Sequence, residues 1–388
     1  MSKIVEEIVA SIKDLLGSDT YALHEPKFDH NELQYLSDCL KSTYVSSVGP
    51  YVEEFESELA KYTGAKYAIA TTNGTSGLHL ALKAVGVCQD DEVLVPSATF
   101  VASANAISYL NAYPNFVDTN EVNLGIDVQK LSDYLSKITT YRNGKCINKN
   151  TKRKITAIMP VHLFGLAGDL ADLKKIAQNY ELKVVEDASE ALGSTFENQH
   201  LGTIGDLGVL SFNGNKIITT GGGGMILTND SKLAYLCKHL STTAKIAGAF
   251  ASQHDEVGYN YRLPNLNAAL GLAQLKKLEG YVKKNQKLHS LYKRSLEPFE
   301  KCTVFCAQAN TTSNYWLHTI RIDTDNINIQ KQLIESMAKV GYACRPIWTP
   351  IHMLEPYKAC PQSDLSTVCN LRYQIASLPS GPKINIGD

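Results

Sequence analysis

The stretch Ser211-Phe-Asn-Gly-Asn-Lys216-Ile-Ile-Thr-Thr-Gly221-Gly-Gly-Gly224-Met-Ile-Leu-Thr228 sets one lysine between two apolar runs, Leu207 to Phe212 and Met225 to Thr228. A serine stands five residues before the lysine and four consecutive glycines follow it. Glycine supplies backbone clearance and unusual φ values, so a flat molecule can approach such an amine closely. Taken alone, the stretch reads either as a lysine presented to a cofactor or as a surface lysine in a glycine-rich hairpin. The surrounding chain separates the two.

From Lys66 onward, short apolar strands alternate with amphipathic helices: strand Tyr67 to Thr71, helix 76 to 85, strand Glu92 to Val95, helix 100 to 110, strand Pro114 to Val117, helix 127 to 138. Strand Ile155 to Val161, helix 169 to 180, strand Lys183 to Glu186 and the two runs around Lys216 continue the series. This pattern implies an α/β fold with a mainly parallel sheet and helices on both faces. Ligands of such sheets lie beyond the carboxyl ends of the strands. The polar insert Thr139 to Lys154, with Asn143-Gly144, reads as a loop.

Before the sheet, the spacing predicts a helix over Met1 to Leu16, an extended arm over 17 to 31, a helix over 31 to 41 and a helix Val52 to Thr63 stopped by Gly64. After it, one long periodic helix is expected from Pro264 to about Leu296. A strand Tyr315 to Ile322 and helices over 329 to 340 and 365 to 372 then form a smaller α+β domain. The expected division is an N-terminal helix and arm (1–50), a large α/β domain (51–275), and a linking helix with a small domain (276–388).

Two further turns carry chemistry. Asn73-Gly74-Thr75-Ser76-Gly77 lies where a strand ends and a helix begins, so free N–H groups, hydroxyls and the helix dipole make either an N-cap or a phosphate cup. It is not a Walker loop, because no Gly-Lys-Ser/Thr follows, and no G-x-G-x-x-G opens the first unit. Glu186-Asp187-Ala188-Ser189-Glu190 follows a buried strand, where carboxylates are costly unless a cation pairs with them. A protonated pyridine nitrogen would serve, or the aspartate simply caps a helix. Together the three pieces match pyridoxal 5′-phosphate, which needs a phosphate anchor, a counter-ion for its ring nitrogen and an amine for a Schiff base.

Composition narrows the alternatives. At 388 residues and 44% hydrophobic, the chain can bury the core of a large domain plus a smaller one. Net charge is −1 with no basic block, which argues against nucleic-acid binding, so any anionic ligand must be met by local groups. The nine scattered cysteines include no C-x-x-C pair and read as reduced cytosolic thiols, with no metal site expected. Met1 to Leu16 lacks the continuous apolar core of a signal peptide, and no stretch is long enough to span a bilayer. A cytoplasmic protein without a membrane partner is expected.

The order Asn73-Gly-Thr75, Asp91-Glu-Val93, Pro96-Ser-Ala-Thr-Phe100, Val161-His-Leu-Phe-Gly165, Glu186-Asp-Ala-Ser-Glu190, Ser211-Phe-x3-Lys216 and Gly258-Tyr-Asn-Tyr-Arg262 resembles the DegT/DnrJ/EryC1/StrS family of nucleotide-sugar aminotransferases over nearly the whole chain. Most relatives have Gly-Glu-Gly-Gly after the lysine. Gly221-Gly222-Gly223-Gly224, with His24-Glu-Pro-Lys-Phe28, Tyr44-Val-Ser-Ser-Val-Gly49, Asn143-Gly-Lys-Cys-Ile-Asn148, Ser313-Asn-Tyr-Trp316 and Arg345-Pro-Ile-Trp348, is similar to the LegC branch, which acts in legionaminic-acid and bacillosamine-type pathways.

The resemblance implies an aspartate-aminotransferase-like, fold type I transferase dependent on pyridoxal phosphate. It further implies glutamate as amino donor, a UDP-linked 4-keto-6-deoxy-N-acetylglucosamine as acceptor at C4, and a homodimer with shared active sites. The same chemistry on another keto sugar, at C3 or GDP-linked, is the alternative, and a non-catalytic relative that keeps the fold is a further one. Lys216 would form the Schiff base and shuttle the proton, Asp187 would hold the pyridinium, and Gly74, Thr75 and Ser211 would bind the phosphate. Phe100 would stack on the ring, and Asn260 would reach the neighbouring subunit's cofactor phosphate. Relatives usually place Gln at position 190, facing the phenolic oxygen; with Glu190 there, either its proton is retained or its role differs. His162, Tyr315, Trp316, Arg345 and His352 are candidates for contacts to the sugar, the nucleotide or the donor carboxylate.

Overall fold

The two apolar runs beside Lys216 pair as the antiparallel strands Leu207–Ser211 and Gly224–Thr228. Val209, Leu210, Met225, Ile226 and Leu227 are completely buried, and removing such side chains from water stabilises the fold by about 1.5–3 kcal/mol each. In this computed structural model, which describes residues 2–387 except 143, 247, 249–251 and 325, these strands lie inside a seven-stranded sheet. Its order is Tyr67–Thr71, Gly224–Thr228, Leu207–Ser211, Lys183–Asp187, Ile155–Ile158, Glu92–Pro96, Tyr113–Val117. Gly224–Thr228 alone runs against its neighbours; the other contacts between adjacent strands are parallel.

The register brings Thr71 and Ser211 opposite Gly224 from its two sides, and Val209 beside Asp187. Three strand ends therefore open onto one spot. The helix Gly74–Ala84 starts there, capped by Asn73, whose side chain accepts from the Ser76 N–H while the Ser76 hydroxyl is paired to the Asn73 backbone. It lies close on the sheet: a Cβ on Gly77 would stand 2.8 Å from Val209 Cγ1, and one on Gly224 would stand 2.6 Å from the Asn73 carbonyl carbon.

A second sheet of four antiparallel strands, in the order Cys302–Val304, His318–Ile322, Ile375–Leu378, Arg345–Pro346, forms the smaller layer. Its core includes Ile320, Leu333 and Leu378, and also Val5, Ile8 and Ile12 from the helix Lys3–Leu16, packed with Leu288 and Tyr292. The apolar stripe of the N-terminal helix is thus buried against the C-terminal part of the chain.

The structure departs from the sequence expectations in three places. The segment 139–154 contains a hairpin, Thr139–Arg142 with Lys145–Asn148, while Asn143 lies outside the described residues. The hairpin is tied down because the fully buried carboxylate of Glu92 accepts from Asn148 Nδ2 at 2.9 Å, Asn115 Nδ2 at 2.8 Å and Thr151 Oγ1 at 2.5 Å. The long helix is two helices, Asn265–Leu275 and Leu278–Leu296. At the break, Lys277 Nζ meets Glu32 at 2.6 Å and Asp29 at 2.8 Å, and Gln274 Nε2 donates to Glu32 at 2.5 Å. The expected strand from Tyr315 starts only at His318, because Asn314 and Trp316 turn back toward the large sheet. No described helix is long and apolar enough to cross a membrane.

Candidate active site

Lys216 sits in the connection between Leu207–Ser211 and Gly224–Thr228. That connection is closed by Phe212 N–H to Gly223 O at 2.8 Å, Thr220 N–H to Phe212 O at 3.0 Å and Lys216 N–H to Asn213 O at 3.0 Å. Gly221 takes a left-handed φ of 79°, which only glycine adopts cheaply. The Lys216 ammonium lies 3.3 Å from Glu190 Oε1 and 4.0 Å from the centre of the Trp316 ring, a cation–π placement. Trp316, itself buried, donates its indole N–H to the Asn215 carbonyl at 2.6 Å.

Asp187 ends the strand Lys183–Asp187 and is 5% exposed. Its Oδ2 accepts from Ser103 Oγ at 2.7 Å and its Oδ1 from the Ser189 N–H at 3.2 Å; Thr99 Oγ1 lies 2.7 Å from Ser103 Oγ. Among the described residues no lysine, arginine or histidine comes within ion-pair distance of this carboxylate. A buried anion supplied only with hydroxyl and amide donors is built for a cation that arrives with a ligand.

At the start of the helix Gly74–Ala84, a Cβ on Gly74 would come 3.0 Å from Ser211 Cβ and 3.3 Å from both Ser211 Oγ and Ser189 Oγ. Two hydroxyls therefore crowd the first turn, where N–H groups and the helix dipole favour an anion. Gly74, Thr75 and Ser211 line the same cleft as Lys216 and Asp187. Ser189 joins them and was not singled out by the sequence; its signal was its place two residues after Asp187.

Glu190 is 7% exposed and accepts from the Phe164 N–H at 2.8 Å through the oxygen that does not face Lys216. Burial pushes its carboxyl up, against the pull of Lys216. Phe164 reaches it with a left-handed φ of 58°, an uncommon backbone for a bulky residue. The Phe164 ring stacks on Trp348 at 5.6 Å, and Phe100, half exposed in the same cleft, lies 6.0 Å from Trp348. Arg345 lines the cleft with its guanidinium 5.1 Å from the Trp348 ring and meets no carboxylate among the described residues.

Other expected residues lie elsewhere. His162 is buried behind the cleft, where its Nε2 meets Glu186 at 2.9 Å. Burial opposes ionisation of Glu186, but His162 and the N–H groups of Gly202 and Gly205 hold its carboxyl below the ordinary range. Tyr315 stacks on His289 at 3.7 Å, and its hydroxyl accepts from the Ala307 N–H. His352 Nδ1 is bound to Ser97 Oγ at 2.6 Å. These three do not line the cleft, because each ring is committed to a neighbour. Asn260 is exposed and accepts from Arg262 Nε at 3.3 Å, outside this chain's cleft. Trp316 lies in the cleft as a support for Lys216.

The four glycines resolve into separate demands. Gly221 needs its positive φ, while a Cβ on Gly223 would stand 2.3 Å from Thr220 Oγ1 and one on Gly224 would strike Asn73. At Gly222 the nearest atom would be Thr72 O, at 3.9 Å. That position has room for a side chain.

Comparison with known proteins agrees with this geometry. Residues 26–388 match the DegT/DnrJ/EryC1/StrS aminotransferase family. The chain is 37% identical to a GDP-perosamine synthase of Caulobacter vibrioides over 88% of its own length and 87% of that protein. It is 34% identical to a putative pyridoxal phosphate-dependent aminotransferase of Bacillus subtilis, over 92% and 90%. A DegT DnrJ EryC1 StrS aminotransferase structure from Brucella abortus superposes with a TM-score of 0.83 at 26% identity, covering 92% of this chain and 91% of that one. The large mixed sheet and the smaller antiparallel sheet are those of a fold type I transferase, and the Gly74 cradle, the uncompensated Asp187 and the enclosed Lys216 fit pyridoxal phosphate. The chain belongs to the DegT/DnrJ/EryC1/StrS aminotransferase family, whose cofactor is pyridoxal 5′-phosphate.

Proposed function

We propose that this protein transfers the amino group of glutamate to the 4-keto carbon of a nucleotide-linked 4-keto-6-deoxy sugar, for surface glycan synthesis in the cytoplasm. The observation that carries the reading is the convergence of Lys216, Asp187 and the Gly74 cradle in one cleft at the carboxyl ends of three strands. When bound, the cofactor supplies an aldehyde that condenses with amines and a ring that accepts electrons from the adjoining carbon. The first turn of Gly74–Ala84, with Ser189 and Ser211, holds its phosphate. Asp187, oriented by Ser103, keeps the ring nitrogen protonated. Phe100 covers one face of the ring. With the cofactor in place, the Lys216 amine would carry the proton from the donor carbon and later deliver one to the sugar carbon. Transfer in two half-reactions predicts ping-pong kinetics.

The carrier nucleotide has two readings. The likeness to the Caulobacter GDP-perosamine synthase supports a GDP sugar. The motifs shared with the LegC branch, Gly222 among them, support a UDP-linked N-acetylated sugar of the legionaminic-acid or bacillosamine type. A homodimer with shared sites is part of the proposal: Leu33 and Leu40 on the helix His30–Ser42, with Phe28, Tyr44 and Val48, form an exposed apolar set that a second copy would cover. Asn260, exposed in the motif Gly258 to Arg262, would complete the partner's phosphate site. Incubation with glutamate and a panel of GDP- and UDP-keto sugars, followed by mass detection of the aminated product, tests the reading. Amination of none of them would refute it.

A further inference from the structure

Among the described residues Glu190 is the one carboxylate that touches the amine of Lys216, and its surroundings are poor for an anion once that amine is consumed. Its Oε1 faces Lys216 at 3.3 Å, and its Oε2 has the Phe164 N–H at 2.8 Å. Asp187, on the strand that leads into it, adds a second negative charge to the same small space. Arg345, from the smaller sheet, is the other cation of the cleft among the described residues; it attracts Glu190 without making an ion pair and has its guanidinium against Trp348. The Lys216 ammonium is therefore the counter-charge that lets a 7% exposed carboxylate ionise.

We propose that Glu190 is a catalytic proton store, accepting the proton that Lys216 gives up when it joins the cofactor, holding it while the freed neutral amine serves as the base, and returning it only when the cofactor leaves. The balance is simple. The Lys216 nitrogen forms a double bond to the aldehyde carbon, the aldehyde oxygen leaves as water with two of the three ammonium protons, and the third passes over the 3.3 Å contact to Glu190 Oε1. An ammonium–carboxylate pair becomes a neutral nitrogen beside a neutral carboxylic acid, and no proton reaches solvent. The Lys216–Glu190 pair changes its bonding without leaving either partner as an unpaired buried charge. A glutamine in this place would offer one acceptor oxygen to two donors, the Phe164 N–H and the Lys216 ammonium, and could hold no proton, so the carboxyl is a functional choice. The inference rests on the proposed reading of the cleft as the cofactor site.

The test is calorimetric titration of pyridoxal 5′-phosphate into cofactor-free protein, near neutral pH, in two buffers of different ionisation heat, which yields the protons released per site. Wild type is expected to release about one proton fewer than Glu190→Gln. Equal release by the two would overturn the proposal while leaving the cofactor site intact. Absence of any binding heat or Schiff-base absorbance in wild type would instead sink the functional reading itself. Should the glutamine variant fail to fold, infrared difference spectra of free and loaded wild type decide the matter: a protonated carboxyl band appears on loading if the proposal holds, and its absence refutes it.

Discussion

The indole N–H of Trp316 donates to the carbonyl of Asn215, the residue before Lys216, while the face of the same ring lies 4.0 Å from the Lys216 ammonium. One side chain from the loop ahead of His318–Ile322 thus fixes both the backbone and the charged tip of Lys216. Trp316→Phe keeps an aromatic face but leaves the Asn215 carbonyl without its donor. A loss of about 1 kcal/mol in stability is expected from the hydrogen bond, measured by urea unfolding, with slower capture of pyridoxal phosphate followed by absorbance. An unchanged capture rate would show that Lys216 does not need this support.

Asp187 takes its orientation from Ser103, whose hydroxyl donates to Oδ2 at 2.7 Å. A hydrogen bond to a charged group contributes about 1.5–3 kcal/mol. Ser103→Ala should weaken cofactor binding roughly tenfold or more by the same figure, and Ser103→Thr should recover most of it. Equilibrium dialysis of the cofactor measures the difference; equal affinity in the alanine variant would contradict the assigned role.

The glycine run makes a paired prediction. Gly224→Ala forces a Cβ to within 2.6 Å of the Asn73 backbone and should cost about 1–3 kcal/mol or more through overpacking. Gly222→Glu enters open space and should stay within about 0.5 kcal/mol of wild type. Thermal unfolding of the two variants separates them, and the sugar panel run on Gly222→Glu reports whether that position bears on sugar choice. Unchanged sugar preference would make the glycine at 222 incidental.

Acid should unfold the protein earlier than its carboxylates alone require. Burial holds His24 down to about 3 and His200 and His289 to about 4. His200 shows the reason in its bonds: Nε2 accepts from the Gly193 N–H at 2.7 Å, so the ring is neutral and Nδ1 donates to Leu201 O at 2.6 Å. Because the folded values lie below the unfolded value near 6.5, the unfolded chain binds the protons first. The stability these rings contribute is fully present above about pH 6.5 and is lost as pH falls toward 4, by about 1.4 kcal/mol per pH unit for each histidine while only its unfolded form is protonated. Urea midpoints over that window test the slope, and a flat midpoint would contradict the burial of these rings as neutral groups.

Lys216, Asp187 and the turn at Asn73 to Thr75 are legible in the sequence because each follows a continuous apolar strand at its carboxyl end. The α/β alternation places those ends together before any coordinate is known. Ser103, Ser189 and Trp316 are harder to read. Ser103 lies within a helix with no charge pattern to mark it, and Trp316 acts from the distant small layer, through a loop that local propensity reads as strand. The break between Leu275 and Leu278 is invisible to periodicity for a related reason: Asp29 and Glu32, far away in sequence, supply the partners that hold Lys277. His162 and His352 look like ligand residues in sequence, yet Glu186 and Ser97 already engage their rings.

The most direct test is the absorption spectrum of the cofactor-loaded protein during a titration with glutamate. Amino transfer through Lys216 predicts a Schiff-base band that is lost as glutamate is added, with 2-oxoglutarate formed in step with the loss. A band that persists at saturating glutamate, with no 2-oxoglutarate produced, would contradict amino transfer through Lys216.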